Sequence, residues 1–213
     1  MIPERTSTQR FRNLLLYFVL AYAISWTIGI PLALAKQGVI QPVFPLWFHY
    51  LVGYGPMISA LIVTRLTEGK QGLKTLWERI THWRVGGIGW FAALSPLVLG
   101  VVVALVMNWL TPNPISISDL GMVNFLPPLG LGAWLLWLLT FGVGEEIGWR
   151  GYALPRLQKD RSALGATLIL FFFWALWHLP QFFYVFDPAI AIGWAIGFFA
   201  GAIVFTWLLN SAQ

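Results

Sequence analysis

The chain has 213 residues, of which 58% are hydrophobic and only 10% charged, with a formal net charge of +5 and a mean hydropathy of +0.74. Soluble domains carry about a quarter of their residues as Asp, Glu, Lys and Arg, so this composition excludes one and points to an all-α, polytopic membrane protein. The lack of cysteine excludes disulfide frameworks, thiolate metal sites and cysteine nucleophiles.

A helical span needs about 20 apolar residues to cross a bilayer core of about 30 Å. Six segments meet that length, at about 14–35, 46–64, 89–110, 129–152, 163–181 and 189–209, and a bundle of this size is expected to pack as a single domain over 1–213. The first span ends in "ALA" at 33–35, which resembles a signal cleavage site, but its run exceeds the roughly 7–15 residues of a secretory h-region. Arg5, Arg10 and Arg12 precede span one. Arg65, Lys70, Lys74, Arg79 and Arg84 lie between spans two and three, and Arg150, Arg156, Lys159 and Arg161 lie at or after the end of span four; only Lys36 falls on the opposite side. Basic residues collect on the cytoplasmic side, which places the N-terminus in the cytoplasm of a multi-pass cell-membrane protein, in contact with membrane lipids. The basic excess is therefore topological and argues against a nucleic-acid partner.

In chain order, His49 opens span two near the outer surface and is expected to be an interface residue. Pro56 in "GYGPMISAL" predicts a kink, tolerable where neighbours satisfy the freed carbonyl. Segment 70–84, "KQGLKTLWERITHWR", places Leu73, Leu76, Trp77, Ile80 and Trp83 at helical spacing, with Lys70, Lys74, Glu78 and Arg79 opposite and His82 in the same stretch. That pattern predicts a short helix on the cytoplasmic leaflet, its basic face toward headgroups. Segment 111–128 reads as a Pro-rich outer loop holding Asp119, and Asp187 occupies another; neither needs a special role. In span six Gly193, Gly197 and Gly201 form a tandem G-x-x-x-G, a stripe that admits close helix approach and is expected to pack within the same chain.

The chemistry concentrates in span four, "LLTFGVGEEIGWRGYALPRL". Ending this helix at Gly144 leaves too short a span and too apolar a remainder, whereas "RLQKDRS" at 156–162 makes a better turn. Glu145 and Glu146 then lie within the bilayer. Glu146 and Arg150 are four apart and share a face, so they can pair. Glu145 points about 100° away, and an unpaired intramembrane carboxylate marks a functional site by default. With a turn near residue 160, an antiparallel hairpin rising 1.5 Å per residue brings Glu145 and His178 of "LFFFWALWHLPQFF" to similar depth. Such a pair can activate water, or bind a metal that keeps a water in its open position. Trp174, one turn earlier, would wall the site. The sequence lacks both G-x-S-G and H-E-x-x-H, so neither a serine site of the rhomboid type nor that zinc-protease pattern is supported.

"EEIGWRGYALPRLQ" followed by "FFFWALWHLPQFF" resembles the CAAX-protease and bacteriocin-processing (abortive-infection) family of intramembrane proteases, over about 130–209. The family motif E-E-x-x-x-R matches Glu145, Glu146 and Arg150, and F-x-x-x-H matches at His178, with Trp174 in place of phenylalanine. The resemblance implies a helical-bundle endopeptidase acting on membrane-associated or lipidated proteins or peptides. It further implies that Glu145 and His178 activate the attacking water, supported by Glu146 and Arg150. Whether that water is base-activated or bound to a divalent metal such as zinc, held by Glu145 and His178, stays open. A later family motif, H-x-x-x-N or H-x-x-x-D, has no counterpart: the chain stops at "FTWLLNSAQ" with no histidine after His178, which predicts a C-terminally truncated copy. The competing readings are a non-catalytic immunity or scaffold protein that keeps the fold, and a proton-coupled transporter using Glu145 and His178 as a relay. Transporters more often show repeated halves, which the sequence lacks.

Overall fold

The computed structural model describes residues 6–81, 86–111, 125–130 and 132–211. Among them the chain is mainly helical, without a strand. Helix α1 (Ser7–Lys36) opens on a capping box, in which Gln9 N donates to Thr6 Oγ1 at 3.3 Å and the Gln9 side chain accepts from Thr6 N at 3.2 Å. A 3₁₀ turn at Leu46–Phe48 leads into the short α2 (His49–Val52) and α3 (Tyr54–Ile80). Helix α4 spans Gly86–Leu110. The fourth membrane element alternates α5 (Gly132–Trp137), π-helical turns at Leu138–Val143, α6 (Gly144–Glu146), further π-helical turns at Ile147–Ala153, and α7 (Leu154–Leu157). Helix α8 (Ala163–Trp177) starts on Ser162, whose hydroxyl accepts from Gly165 N at 3.2 Å, and it runs through His178 into a 3₁₀ turn at Leu179–Phe183. Asp187 then caps a second 3₁₀ turn, accepting from Ala189 N at 2.9 Å, ahead of α9 (Ala191–Ser211).

Four helical stretches among the described residues are long and apolar enough to cross a membrane: Ser7–Lys36, Leu46–Ile80, Ala163–Phe183 and Pro188–Ser211. The sequence led us to expect six. The element at Gly132–Leu157 drops out because its α and π segments are each short and it carries Glu145, Glu146 and Arg150. Helix α4 is 25 residues long, and the apolar stretch found in it among the described residues is Val98–Leu110.

The core lies where α1 and α3 pack along each other and the π-helical turns after Glu146 pack on α3. Tyr17 is wholly buried, stacked on Tyr152 with ring centroids 4.8 Å apart and edge-on to Trp149 at 5.7 Å. Span two is interrupted at Gly53, three residues before Pro56. Pro56 has no N–H for the carbonyl of Val52, and Ser25 Oγ of α1 donates to that carbonyl at 2.8 Å instead. The expected satisfaction of the freed carbonyl by a neighbour is present.

Two expectations about faces need correction. Along 70–80 Leu76 is buried, but Trp77 is 65% exposed and stands on the outer side with Lys70 and Lys74. Arg79 turns inward instead, its Nη1 donating to Gly151 O at 2.9 Å. Gly69, at φ 66° and ψ −155°, resets the helical phase there. In α9 the glycine stripe packs against none of the described residues: a Cβ added at Gly193, Gly197 or Gly201 would meet none of them within 4 Å. Helix α9 instead turns Phe198 and Thr206 toward α8, where Thr167 Oγ1 donates to Thr206 Oγ1 at 2.8 Å and Phe198 lies 3.8 Å from Trp174, centroid to centroid. His82, Trp83, Arg84 and Asp119 lie outside the described residues.

Candidate active site

Span four does continue past Glu145, and the chain turns at 158–162. At that end Arg10 of α1 grips Asp160 with both arms, Nε to Oδ2 at 3.0 Å and Nη2 to Oδ1 at 2.5 Å. This puts the N-terminal end of α1 and the turn on one side, as the charge distribution requires. The Arg10 hydrogen bond, reinforced by the nearby charges of Arg10, Arg161 and Lys159, holds the Asp160 carboxyl below its ordinary value.

Close backbone contact seats the site-bearing element. A Cβ on Gly148 would lie 2.4 Å from Pro56 Cβ and 2.5 Å from Pro56 C, and one on Gly144 would lie 2.7 Å from Gly53 O. Only glycine admits these approaches, so "GVGEEIG" is fixed against the broken start of α3. The π-helical turns on both sides of α6 set the direction of the acids. Such turns are rare and concentrate at functional sites.

Glu145 is buried, 6% exposed, and its Oε2 accepts from Trp174 Nε1 at 2.7 Å. His178 is buried as well, 7% exposed, and its Nδ1 lies 2.8 Å from the carbonyl oxygen of Trp174. A carbonyl only accepts, so the proton resides on Nδ1 and Nε2 keeps its lone pair. Trp174 thus links the acid and the imidazole, one through its indole and the other through its backbone. The Glu146–Arg150 pair expected from the spacing is present, Nη1 to Oε1 at 2.8 Å. The guanidinium carbon of Arg150 sits 3.8 Å from the Trp174 ring centroid and 4.8 Å from that of Phe205, a cation–π arrangement that suits a buried cation. Its Nε and Nη2 are buried without a hydrogen-bond partner among the described residues.

The structure therefore gathers Glu145, Glu146, Arg150 and His178 around one indole. The sequence showed Trp174 as a wall and missed it as a donor; a tryptophan in place of phenylalanine, with an N–H to give, was the available signal. His49 also departs from expectation. It is 6% exposed rather than interfacial, with Nδ1 3.1 Å from Tyr184 Oη and its ring against Tyr50 and Phe141.

For a divalent metal, Glu145 and His178 offer one carboxylate and one free Nε2, two ligands where a catalytic zinc takes three from the protein. No group of three His, Cys, Asp or Glu side chains gathers among the described residues. These residues do not make a zinc site on their own, and a metal here would need a ligand from outside them.

Residues 127–212 match the family described as type II CAAX prenyl endopeptidase Rce1-like. The chain is 36% identical over 96 residues to CAAX prenyl protease 2 of Methanococcus maripaludis, covering 40% of this chain and 32% of that protein. It is 29% identical over 130 residues to a protein named multidrug resistance protein MdtD of Pectobacterium carotovorum, covering 58% of this chain and 27% of that protein. The matches thus span about a third or less of these curated relatives. The acid pair, Arg150 and His178 all fall inside residues 127–212, so the part of the chain that carries the site is similar to the type II CAAX prenyl endopeptidases, and its long apolar helices make the chain a multi-pass membrane protein.

Proposed function

We propose that this protein is an intramembrane endopeptidase that hydrolyses a peptide bond in membrane-associated or lipidated, CAAX-type proteins. The observation that carries the reading is the shared indole: Trp174 donates to Glu145 Oε2 at 2.7 Å while its carbonyl, 2.8 Å from His178 Nδ1, fixes the imidazole tautomer. A carboxylate and an imidazole with a free Nε2 are suited to taking a proton from water. The water oxygen bonds to the scissile carbonyl carbon as its proton passes to Glu145. The tetrahedral oxyanion then collapses, the C–N bond breaks, and the proton is handed to the leaving amine. Arg150 keeps one arm on Glu146, and its buried Nε and Nη2, without a partner among the described residues, are suited to the developing oxyanion. His178 with its lone pair helps to orient the water.

The test is cleavage of a prenylated CAAX peptide by the protein in vesicles. Glu145→Gln, which keeps an acceptor for Trp174, and His178→Ala are each expected to lose about a hundredfold or more in kcat/KM with the helical signal unchanged. Unchanged cleavage in either variant refutes the assignment. The likeness to a multidrug resistance protein favours a second reading, proton-coupled export through Glu145 and His178. Proton-driven dye efflux from vesicles that is lost in Glu145→Gln, with no peptide cleavage by the parent, would establish export instead. Absence of both activities would leave the non-catalytic reading standing.

A further inference from the structure

We propose that residues 70–80 of α3 form a strap that binds an anionic lipid surface and, when bound, steadies the π-helical turns carrying Arg150. The proposal does not depend on the endopeptidase reading.

Gly69 is in the left-handed region, φ 66°, and separates 70–80 from the membrane-crossing part of α3. On its inner side the strap is locked to the site-bearing element. A Cβ on Gly151 would meet Ile80 Cγ2 at 3.2 Å and Leu76 Cδ1 at 3.4 Å, and Arg79 Nη1 donates to Gly151 O at 2.9 Å. The next carbonyl, that of Tyr152, accepts from Arg156 Nη1 at 2.9 Å, while Arg156 Nη2 pairs with Glu68 Oε1 at 2.5 Å. The two halves of α3 flanking Gly69 therefore hold, directly or through Arg156, the two carbonyls that follow Arg150.

The outer side is built differently. Lys70, Lys74 and the 65% exposed Trp77 lie there together. Lys74 meets Glu78 only loosely, at 3.8 Å, with both side chains well exposed, a pair that contributes little. Glu68 is turned inward to Arg156, which leaves the outer face positive. Amphipathic helices with lysines and a tryptophan on their lipid-facing parts lie at the bilayer interface. Each basic residue close to an anionic surface strengthens binding by roughly fivefold. The charge and the indole commit this face to a bilayer rich in anionic headgroups.

The experiment is amide hydrogen exchange of 147–157 in the full chain, in vesicles of phosphatidylcholine alone and of phosphatidylcholine mixed with phosphatidylglycerol. Exchange is expected to be about tenfold slower in the anionic vesicles. The difference should vanish in Lys70→Gln/Lys74→Gln, with the phosphatidylcholine value unchanged. Arg79→Gln should exchange fast in both lipids. Equal exchange of the parent in the two lipids, or an anionic-lipid effect that survives in the double variant, overturns the proposal. So does slowing by inorganic phosphate in detergent, which would mean a site for free anions. The readout involves no cleavage, so its failure and that of the endopeptidase reading are distinguishable.

Discussion

Two stretches of this chain present glycines at a spacing of four. At Gly144 and Gly148 the backbone of α3 comes so near that an added methyl would sit 2.7 Å from Gly53 O and 2.4 Å from Pro56 Cβ. At Gly193, Gly197 and Gly201 an added methyl would touch none of the described residues within 4 Å. The glycines are chemically the same; the partners differ. Opposite Gly148 stands "GYGP", itself interrupted at Gly53, so two side-chain-poor backbones can meet. Helix α9 has no such counterpart among the described residues, and its aromatic side engages α8. Spacing of small residues states that a helix can be approached closely, and the approach happens only where a second backbone is equally bare.

That contrast can be broken by substitution. Gly148→Ala should be the most damaging change, because the new methyl meets backbone and proline ring that cannot swing away; a loss of about 3 kcal/mol is expected in reversible unfolding in micelles. Retention of parental stability would show that the contact yields easily. Ser25→Ala removes the donor to Val52 O and leaves that carbonyl unsatisfied in an apolar setting, for about 1–3 kcal/mol, read in the same assay. Gly197→Ala should change stability by no more than about 1 kcal/mol, and upward, because alanine favours a helix over glycine. A loss comparable to that of Gly148→Ala would reveal a covered stripe. The smallest effect is expected at Asp160→Asn, on the exposed turn. Its carboxyl is held below the ordinary value of 3.8 by the Arg10 hydrogen bond, so the contribution is complete above that value and lost as pH falls through the lowered one. The parent and Asp160→Asn should therefore differ slightly in melting temperature at neutral pH and converge in acid.

Much of the site was legible because it rests on depth and phase along single helices. The turn at 158–162 and the rise per residue bring Glu145 and His178 to the same residue, Trp174, and spacing alone gave the Glu146–Arg150 pair. What stayed hidden needs a second element to be seen. Trp77 and Arg79 stand on opposite margins of the apolar face of 70–80, and the partner at Gly151 decides which margin is covered. Trp174 as donor depends on which rotamer faces Glu145. Gly144 and Gly148 were read past because two acids stood between them, and His49 because proximity to a span end was taken as exposure.

The π-helical turns make the site sensitive to something no substitution probes, the number of residues between its parts. An ordinary helix advances about 100° per residue, so a wider turn is equivalent to one residue more than the α geometry would hold. Removing a single residue within 147–153 would let the backbone wind as plain α-helix. Apolar composition and helix content would be retained, but everything beyond the cut would rotate relative to the acid pair. Arg150 and the turn at 158–162 could not both keep their partners. Length variation in this stretch therefore acts as a change of aim, and homologous chains are best aligned here by geometry rather than by residue count.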